Sequence, residues 1–209
     1  TSPVTLNMPS DQYYIAVRHR THLGIMAAGR YALSSTPTSV DLTNGTAALY
    51  GGSAAIKILS GKQVMFAGDV NGDNQIVYTN TNNDRDLILT LIGGVVPTAT
   101  LSGYHAEDVN MDGVVSYTGV NNDRDIILIN IGGITPTNVL DGSLPCTLFA
   151  PVGCNFALCV LCLLIGSLLH YCLISILHHS QVERLHKYGE SHGEIDIILI
   201  DMFAHALDQ

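Results

Sequence analysis

Short apolar runs separated by turn residues fill the first 66 residues of the chain. In the run 13–20 the residues Tyr13, Ile15 and Val17 lie on one face of a predicted strand and Tyr14, Ala16 and Arg18 on the other. Clusters of Gly, Asn, Ser and Thr lie between the later runs and favour turns. We therefore predict a small β-sheet, the end of a β-sandwich, built from residues 4–8, 13–20, 39–42, 46–50, 54–59 and 63–66.

Two further apolar runs, at residues 87–92 and 126–131, each follow an aspartate and end at Gly-Gly. An acidic start, an apolar body and a glycine stop are typical of a short capped helix. A run this short also satisfies the period of a strand. We predict helices, with the aspartate as N-cap, because an acidic first turn complements the helix dipole.

The last region of the chain begins with a long apolar stretch that contains no charged residues. No charged residue occurs from Gly142 to Val182, and residues 156–177 are long enough to cross a bilayer as a helix. The polar, His-rich segment that follows mixes acidic and basic residues and does not fix an orientation. We predict an apolar helical tail in residues 142–209, made of a Cys-rich helix with a candidate transmembrane segment at 156–177 and of a polar, His-rich end. The alternative is that this tail is extraneous to the preceding unit.

A 27-residue block occurs twice in the middle of the chain, at residues 68–94 and 107–133, with 16 identical positions. Each copy opens with Asp-Val-Asn-x-Asp, which places oxygen-bearing side chains at positions 1, 3 and 5 of a loop, as in an EF-hand. Position 7 would add its backbone carbonyl. The predicted ligands of this kind are Asp69, Asn71, Asp73 and Gln75 in the first copy, and Asp108, Asn110, Asp112 and Val114 in the second.

The end of each loop departs from the EF-hand pattern. Position 12 is Asn80 in one copy and Gly119 in the other, so the bidentate glutamate is missing there. A carboxylate follows only four to six residues later, in Asn-Asn-Asp-Arg-Asp. The sequence leaves two candidates for closing each loop: Asp84 or Asp86 in the first, and Asp123 or Asp125 in the second.

The charge of the chain agrees with a cation site. Asp and Glu number 18 against 9 Lys and Arg, a net charge of −9, and nine of the acidic residues lie in the two repeats. Such a charge repels nucleic acid, which we exclude as a partner. Calcium is millimolar outside the cell, so we expect an extracellular or cell-surface location. The start at Thr1, without Met or leader, suggests a fragment.

Enzymatic motifs are missing from the sequence. It contains no Gly-x-Ser-x-Gly, no phosphate-binding loop and no His-Glu-x-x-His. We therefore predict a non-catalytic region, although a catalytic domain could precede it in a longer protein.

The Asp-Val-Asn-Gly-Asp opening, the aspartate ahead of an apolar helix and the tandem duplication resemble the dockerin module of secreted bacterial glycoside-degrading enzymes and surface proteins. The Tyr-Thr, Asn-Asp-Arg-Asp and Gly-Gly-x-x-Pro-Thr segments are similar to repeats near the C-termini of large bacterial adhesin-like proteins. This resemblance implies one calcium ion per repeat, two in all. It also implies Asp86 and Asp125 as the closing ligands, with Asp84 and Asp123 as alternates. It also implies docking onto a cohesin-like protein or a surface scaffold.

The resulting expectation is an α+β chain with three regions. Residues 1–66 are the β-rich region, residues 67–141 the dockerin-like calcium repeats, and residues 142–209 the tail. We expect a calcium-binding attachment module. The alternatives are a calcium-rigidified spacer or cap in a large surface protein and, third, an accessory region of a polysaccharide-degrading hydrolase.

Overall fold

The computed structural model describes residues 9–145 and the backbone of two later strands, residues 182–187 and 195–200. The run predicted at residues 4–8 and the candidate transmembrane segment 156–177 lie outside the described residues. Within them, short strands and two helices give an α+β chain, as predicted. No helix in the described part of the chain is long and apolar enough to cross a membrane.

The largest sheet is built around one long strand, β1 (Asp11–His19). Antiparallel to it lie β2 (His22–Met26) and β3 (Tyr31–Leu33), which confirms the strand predicted at residues 13–20. The tail adds two strands, and these will be called β10 (Val182–Lys187) and β11 (Ile195–Ile200). The strand order is β10-β11-β1-β2, with β3 on β1. This part of the tail is therefore extended and continuous with the first sheet.

The rest of the first region contains less strand than predicted. Only β4 (Lys57–Leu59) and β5 (Lys62–Val64) form a hairpin, and a 3-10 turn covers Gly52–Ala55. The runs predicted at 39–42 and 46–50 are not strands, apart from one bridge between Ala27 and Leu49. Asp41 and Asn44 explain the difference, because their side chains accept the backbone N–H groups of Thr43 and Thr46 and so favour turns. These small sheets do not confirm a β-sandwich.

Each repeat forms a loop, a strand, a helix and a second strand. The first repeat contains β6 (Gln75–Val77), α1 (Asp84–Leu91) and β7 (Thr100–Ser102). The second contains β8 (Val114–Ser116), α2 (Asp123–Asn130) and β9 (Val139–Asp141). The strands pair between repeats: β6 with β9, and β7 with β8. Each two-stranded sheet thus takes one strand from each repeat, and the two repeats form a single unit.

The two helices are confirmed, but their caps differ from the prediction. Asn83 and Asn122, not an aspartate, are the N-caps, and their side chains accept the N–H groups of Asp86 and Asp125. Asparagine caps as well as aspartate because both side chains carry a short acceptor oxygen. At the other end of α1, Gly93 and Gly94 donate to Thr90 and Leu89 with positive φ, which ends the helix.

The core of the repeats is made of equivalent residues from both copies and one residue from the first region. Val70, Ile76 and Ile88 pack with their counterparts Val109, Val115 and Ile127, and Leu23 of β2 joins them. The two-residue turn between β1 and β2 also bonds directly to the repeats: the Thr21 carbonyl accepts the N–H groups of Gly68 and Asp69. The β-rich region and the repeats therefore share a core.

Candidate functional site

The two acidic loops will be called loop 1 (residues 69–83) and loop 2 (residues 108–122). The first aspartate of loop 1, Asp69, is buried, with 2 % of its surface exposed. Its Oδ2 accepts the N–H of Asn74 at 3.2 Å, while its buried Oδ1 has no hydrogen-bond partner among the described residues. A buried carboxylate oxygen without a donor is costly. Its free lone pairs suit a cation.

The next side chains of loop 1 turn its backbone back on itself. Asn71 Oδ1 accepts the N–H of Asp73 at 2.9 Å, and Asp73 Oδ1 accepts the N–H of Gln75 at 2.9 Å. Asn74, at position 6, has a φ of 69°, the left-handed turn the loop requires there. Asn71 Nδ2 also reaches the carbonyl of Asn82. The predicted ligands Asp69, Asn71, Asp73 and Gln75 are thus gathered in one tight loop.

The two candidates for the closing carboxylate lie in different places. Asp84 is fully buried against loop 1, where Oδ1 accepts the N–H of Val70 at 2.7 Å and Oδ2 that of Val77 at 2.8 Å. Asp86 points to the surface, pairs with Arg85 at 2.9 Å and accepts from Asn83. The structure brings the alternate, Asp84, to the loop and leaves Asp86, the closing ligand that the dockerin resemblance implied, outside it. As bonded, Asp84 holds the loop backbone together.

Loop 1 concentrates negative charge that its surroundings do not neutralise. Burial, followed by the charges of Asp84 and Asp73, raises the pKa of Asp69 to about 7. Burial raises the pKa of Asp84 to about 6 against the opposing effect of its backbone hydrogen bonds. Within the described residues, no ion pair involves either carboxylate. Both carboxyl groups would hold their charge more easily beside a cation.

Loop 2 repeats most of this geometry. Asn110 Oδ1 accepts the N–H of Asp112 at 2.8 Å, and Asp112 Oδ1 accepts that of Val114 at 2.9 Å. Asp123 is buried and accepts the N–H groups of Val109 and Ser116, as Asp84 does in loop 1. Burial raises the pKa of Asp123. Asp125 lies outside the loop and pairs with Arg124 at 2.9 Å.

The first aspartate of loop 2 has a different environment. Asp108 Oδ2 accepts the N–H of Gly113 at 3.0 Å, and Oδ1 accepts that of Asp112 at 3.1 Å. The guanidinium of Arg20, from the turn between β1 and β2, lies 3.7 Å from Asp108 Oδ2. Asp108 therefore already has a positive neighbour, which Asp69 lacks.

These residues fit a calcium ion better than a transition metal. Calcium takes carboxylate, amide and backbone carbonyl oxygens, and each loop offers all three. In the described part of the chain, no three His, Cys, Asp or Glu side chains are close enough together to hold a metal ion. Zinc binds through such side chains alone, whereas calcium also takes the Asn and backbone carbonyl oxygens of a loop. The unpartnered Asp69 Oδ1 supports the fit in loop 1.

Sequence reasoning missed four residues that shape the loops, and Arg20. Asn82 and Asn121 have φ values of 58° and 59° and turn the chain immediately before the N-cap residues Asn83 and Asn122. The repeated Asn-Asn pair was a visible signal for both turn and cap. Arg20 had no such signal, because its contact depends on how the first region packs against the second repeat.

No protein-family model, no curated protein and no solved structure matches this chain.

Proposed function

We propose that loops 1 and 2 each bind one calcium ion. The observation that carries this proposal is the buried, unpartnered Oδ1 of Asp69, in a loop whose Asn71 and Asp73 side chains accept the backbone N–H groups two residues further on. Its support is the recurrence of the same side-chain turns in loop 2, from the same residue types. Calcium would supply the charge that the buried carboxylates lack, and folding and ion binding would be coupled.

Calorimetric titration of the full chain with calcium chloride tests this proposal. We expect two ions per chain, with dissociation constants no weaker than the roughly 10⁻⁴–10⁻³ M of extracellular calcium modules. Asp73→Ala and Asp112→Ala should each remove one ion. Both side chains are exposed, so the variants should keep their fold, whereas Asp69 and Asp108 are buried. The absence of calcium-dependent heat at millimolar calcium would contradict the proposal.

We assign the calcium-loaded repeats a role in protein attachment outside the cell, with a cohesin-like protein or surface scaffold as partner. The dockerin-like loop spacing favours this role, and the chain offers no catalytic motif to favour an enzyme. Leu87 and Ile88 follow the end of loop 1, within α1. Leu87 is partly exposed and Ile88 is buried, so a partner protein could contact only Leu87 of the two. Calcium-dependent binding of a cohesin domain to the full chain tests the role.

A calcium-rigidified spacer or cap is the second candidate. The observation that favours it is the shared core: Leu23 packs among the repeat residues, and Lys57 Nζ donates to Asn130 Oδ1 at 2.8 Å. In that role, calcium would stiffen the β-rich region as well as the repeats. The attachment role requires a partner protein. The spacer role requires only that calcium binding in the loops also stabilise the first sheet.

A further inference from the structure

The two loops have equivalent ligands but meet the first region in different ways. The turn between β1 and β2 faces loop 1 with a neutral group, the Thr21 carbonyl, which accepts the N–H of Asp69 at 3.2 Å. It faces loop 2 with the Arg20 guanidinium, 3.7 Å from the Asp108 carboxylate. One turn thus contacts the first aspartate of both loops and brings a charge to only one.

The Arg20 side chain is held firmly in this position. Its Nε donates to the His105 carbonyl at 2.8 Å, and its guanidinium carbon lies 3.8 Å from the centre of the Tyr104 ring. Only 13 % of the side chain is exposed. The residue 39 positions before Tyr104, which is equivalent to it, is Met65, so the tyrosine ring on which Arg20 stacks beside loop 2 has no counterpart at that position beside loop 1.

We propose that Arg20 makes the two calcium loops unequal, by giving loop 2 a built-in positive charge that lowers its calcium affinity below that of loop 1. This inference rests on the proposed calcium function. As calcium rises, loop 1 fills first and loop 2 fills only at higher concentration. The contact between the first region and loop 2 thereby sets the calcium range over which the repeats respond.

Electrostatics supports a net weakening. Arg20 partly neutralises Asp108 before any ion arrives, and a divalent ion in loop 2 would be repelled by the nearby guanidinium. The guanidinium is mostly shielded from solvent, so salt screens the repulsion poorly. Among the described residues, no cation pairs with the first aspartate of loop 1, which keeps the unpartnered Asp69 Oδ1. We expect at least a tenfold difference in affinity between the loops.

The opposite effect would follow if Arg20 mainly orders loop 2. Its hydrogen bond to His105 and its stacking on Tyr104 could hold the loop in its binding conformation. Removing Arg20 would then lower the affinity of loop 2. The sign of the change therefore separates a charge effect from an ordering effect.

The test uses the full chain with Asp73→Ala, so that only loop 2 binds, titrated calorimetrically with calcium chloride. Adding Arg20→Met should tighten calcium binding at least tenfold. Arg20→Lys, which keeps the charge, should leave the affinity within about threefold of the parent. The tenfold expectation is equivalent to about 1.4 kcal/mol of binding free energy.

The matched control is Lys57→Met, which removes another cation that bonds from the first region to the second repeat, at Asn130. It should leave the calcium affinity of loop 2 unchanged. Equal affinity with and without Arg20, or a loss on its removal, would overturn the Arg20 proposal while leaving calcium binding intact. No calcium heat in the unmutated chain or in any variant would overturn the calcium function, and this inference with it.

Discussion

At the residue scale, the buried aspartates of the loops destabilise the fold when no ion is bound, and a bound ion would remove this destabilisation. Asp69 is almost fully buried, faces Asp73 and Asp84, and has one oxygen without a donor. Such a group is tolerated where binding compensates for it, since a carboxylate left alone in the interior favours its neutral form. Asp69 thus destabilises the calcium-free fold and is also well placed to bind an ion.

Asp69 should make the calcium-free protein less stable as pH rises. Its folded pKa of about 7 is above the ordinary value of 3.8, so the folded state holds the proton more tightly and loses that advantage between pH 4 and 7. Asp69→Asn removes the effect, and one pKa unit is worth about 1.4 kcal/mol. In calcium-depleted buffer, urea unfolding should show the variant to be more stable than the parent at pH 8 by at least about 1.4 kcal/mol.

The same pair of proteins provides the controls. At pH 4 the difference should shrink, because the parent's Asp69 is then protonated in the folded state. In millimolar calcium at pH 8 the sign should reverse, since the parent then binds the ion. Equal stability at pH 8 without calcium would show that Asp69 is not a strained group. Comparing parent with variant also cancels His22, whose pKa burial lowers to about 4 and which destabilises the fold as pH falls.

At the element scale, each helix begins at an asparagine that also holds the end of a loop. Asn83 accepts the N–H of Asp86 at 2.9 Å and donates to the Asn80 carbonyl at 2.7 Å. Asn122 makes the equivalent bonds. The cap therefore fixes the last turn of the loop and the first turn of the helix together.

Replacing a cap should destabilise the repeats by a known amount. Asn83→Ala removes the acceptor for Asp86, and loss of such a cap costs about 1 kcal/mol. Asn83→Ser is the matched control, because serine caps nearly as well. Urea unfolding in saturating calcium measures both. A serine variant as unstable as the alanine variant would indicate that the bond to Asn80, rather than the cap, is what matters.

The helices and the loop positions could be predicted from sequence because their determinants are local. Ligand spacing, the acidic first turn and the Gly-Gly stop all lie within one repeat. The choice between Asp84 and Asp86 could not be predicted from sequence. It depends on which of the two carboxylates accepts the N–H groups of Val70 and Val77. The prediction of strands at 39–42 and 46–50 was wrong for a local reason. The side chains of Asp41 and Asn44 form turns there, and the apolar pattern does not show this.

At the scale of the whole molecule, contacts distant in sequence join the regions. The strands of the repeats are exchanged, so that β6 pairs with β9 and β7 with β8. After β9 the chain returns to the first sheet, where Leu144 is buried against Ala16 and Met26. The repeats are therefore joined to the first sheet at both ends, at Thr21 and Leu23 before them and at Leu144 after them. Calcium-induced ordering of the loops can stabilise the first sheet through Thr21 and Leu23.

Calcium should accordingly protect the first sheet as well as the repeats. The Leu23 N–H donates to Phe66 and the Asp69 N–H to Thr21, so these bonds join β2 and its preceding turn to the start of the repeats. Hydrogen exchange of the full chain, with calcium and with excess chelator, should show slower exchange in residues 13–26 as well as in 67–141 when calcium is present. Leu23→Ala should weaken that coupling by removing the side chain that joins the repeat core, whereas Ile58→Ala, on an exposed side chain of β4, should not. Protection confined to the repeats would exclude the spacer role.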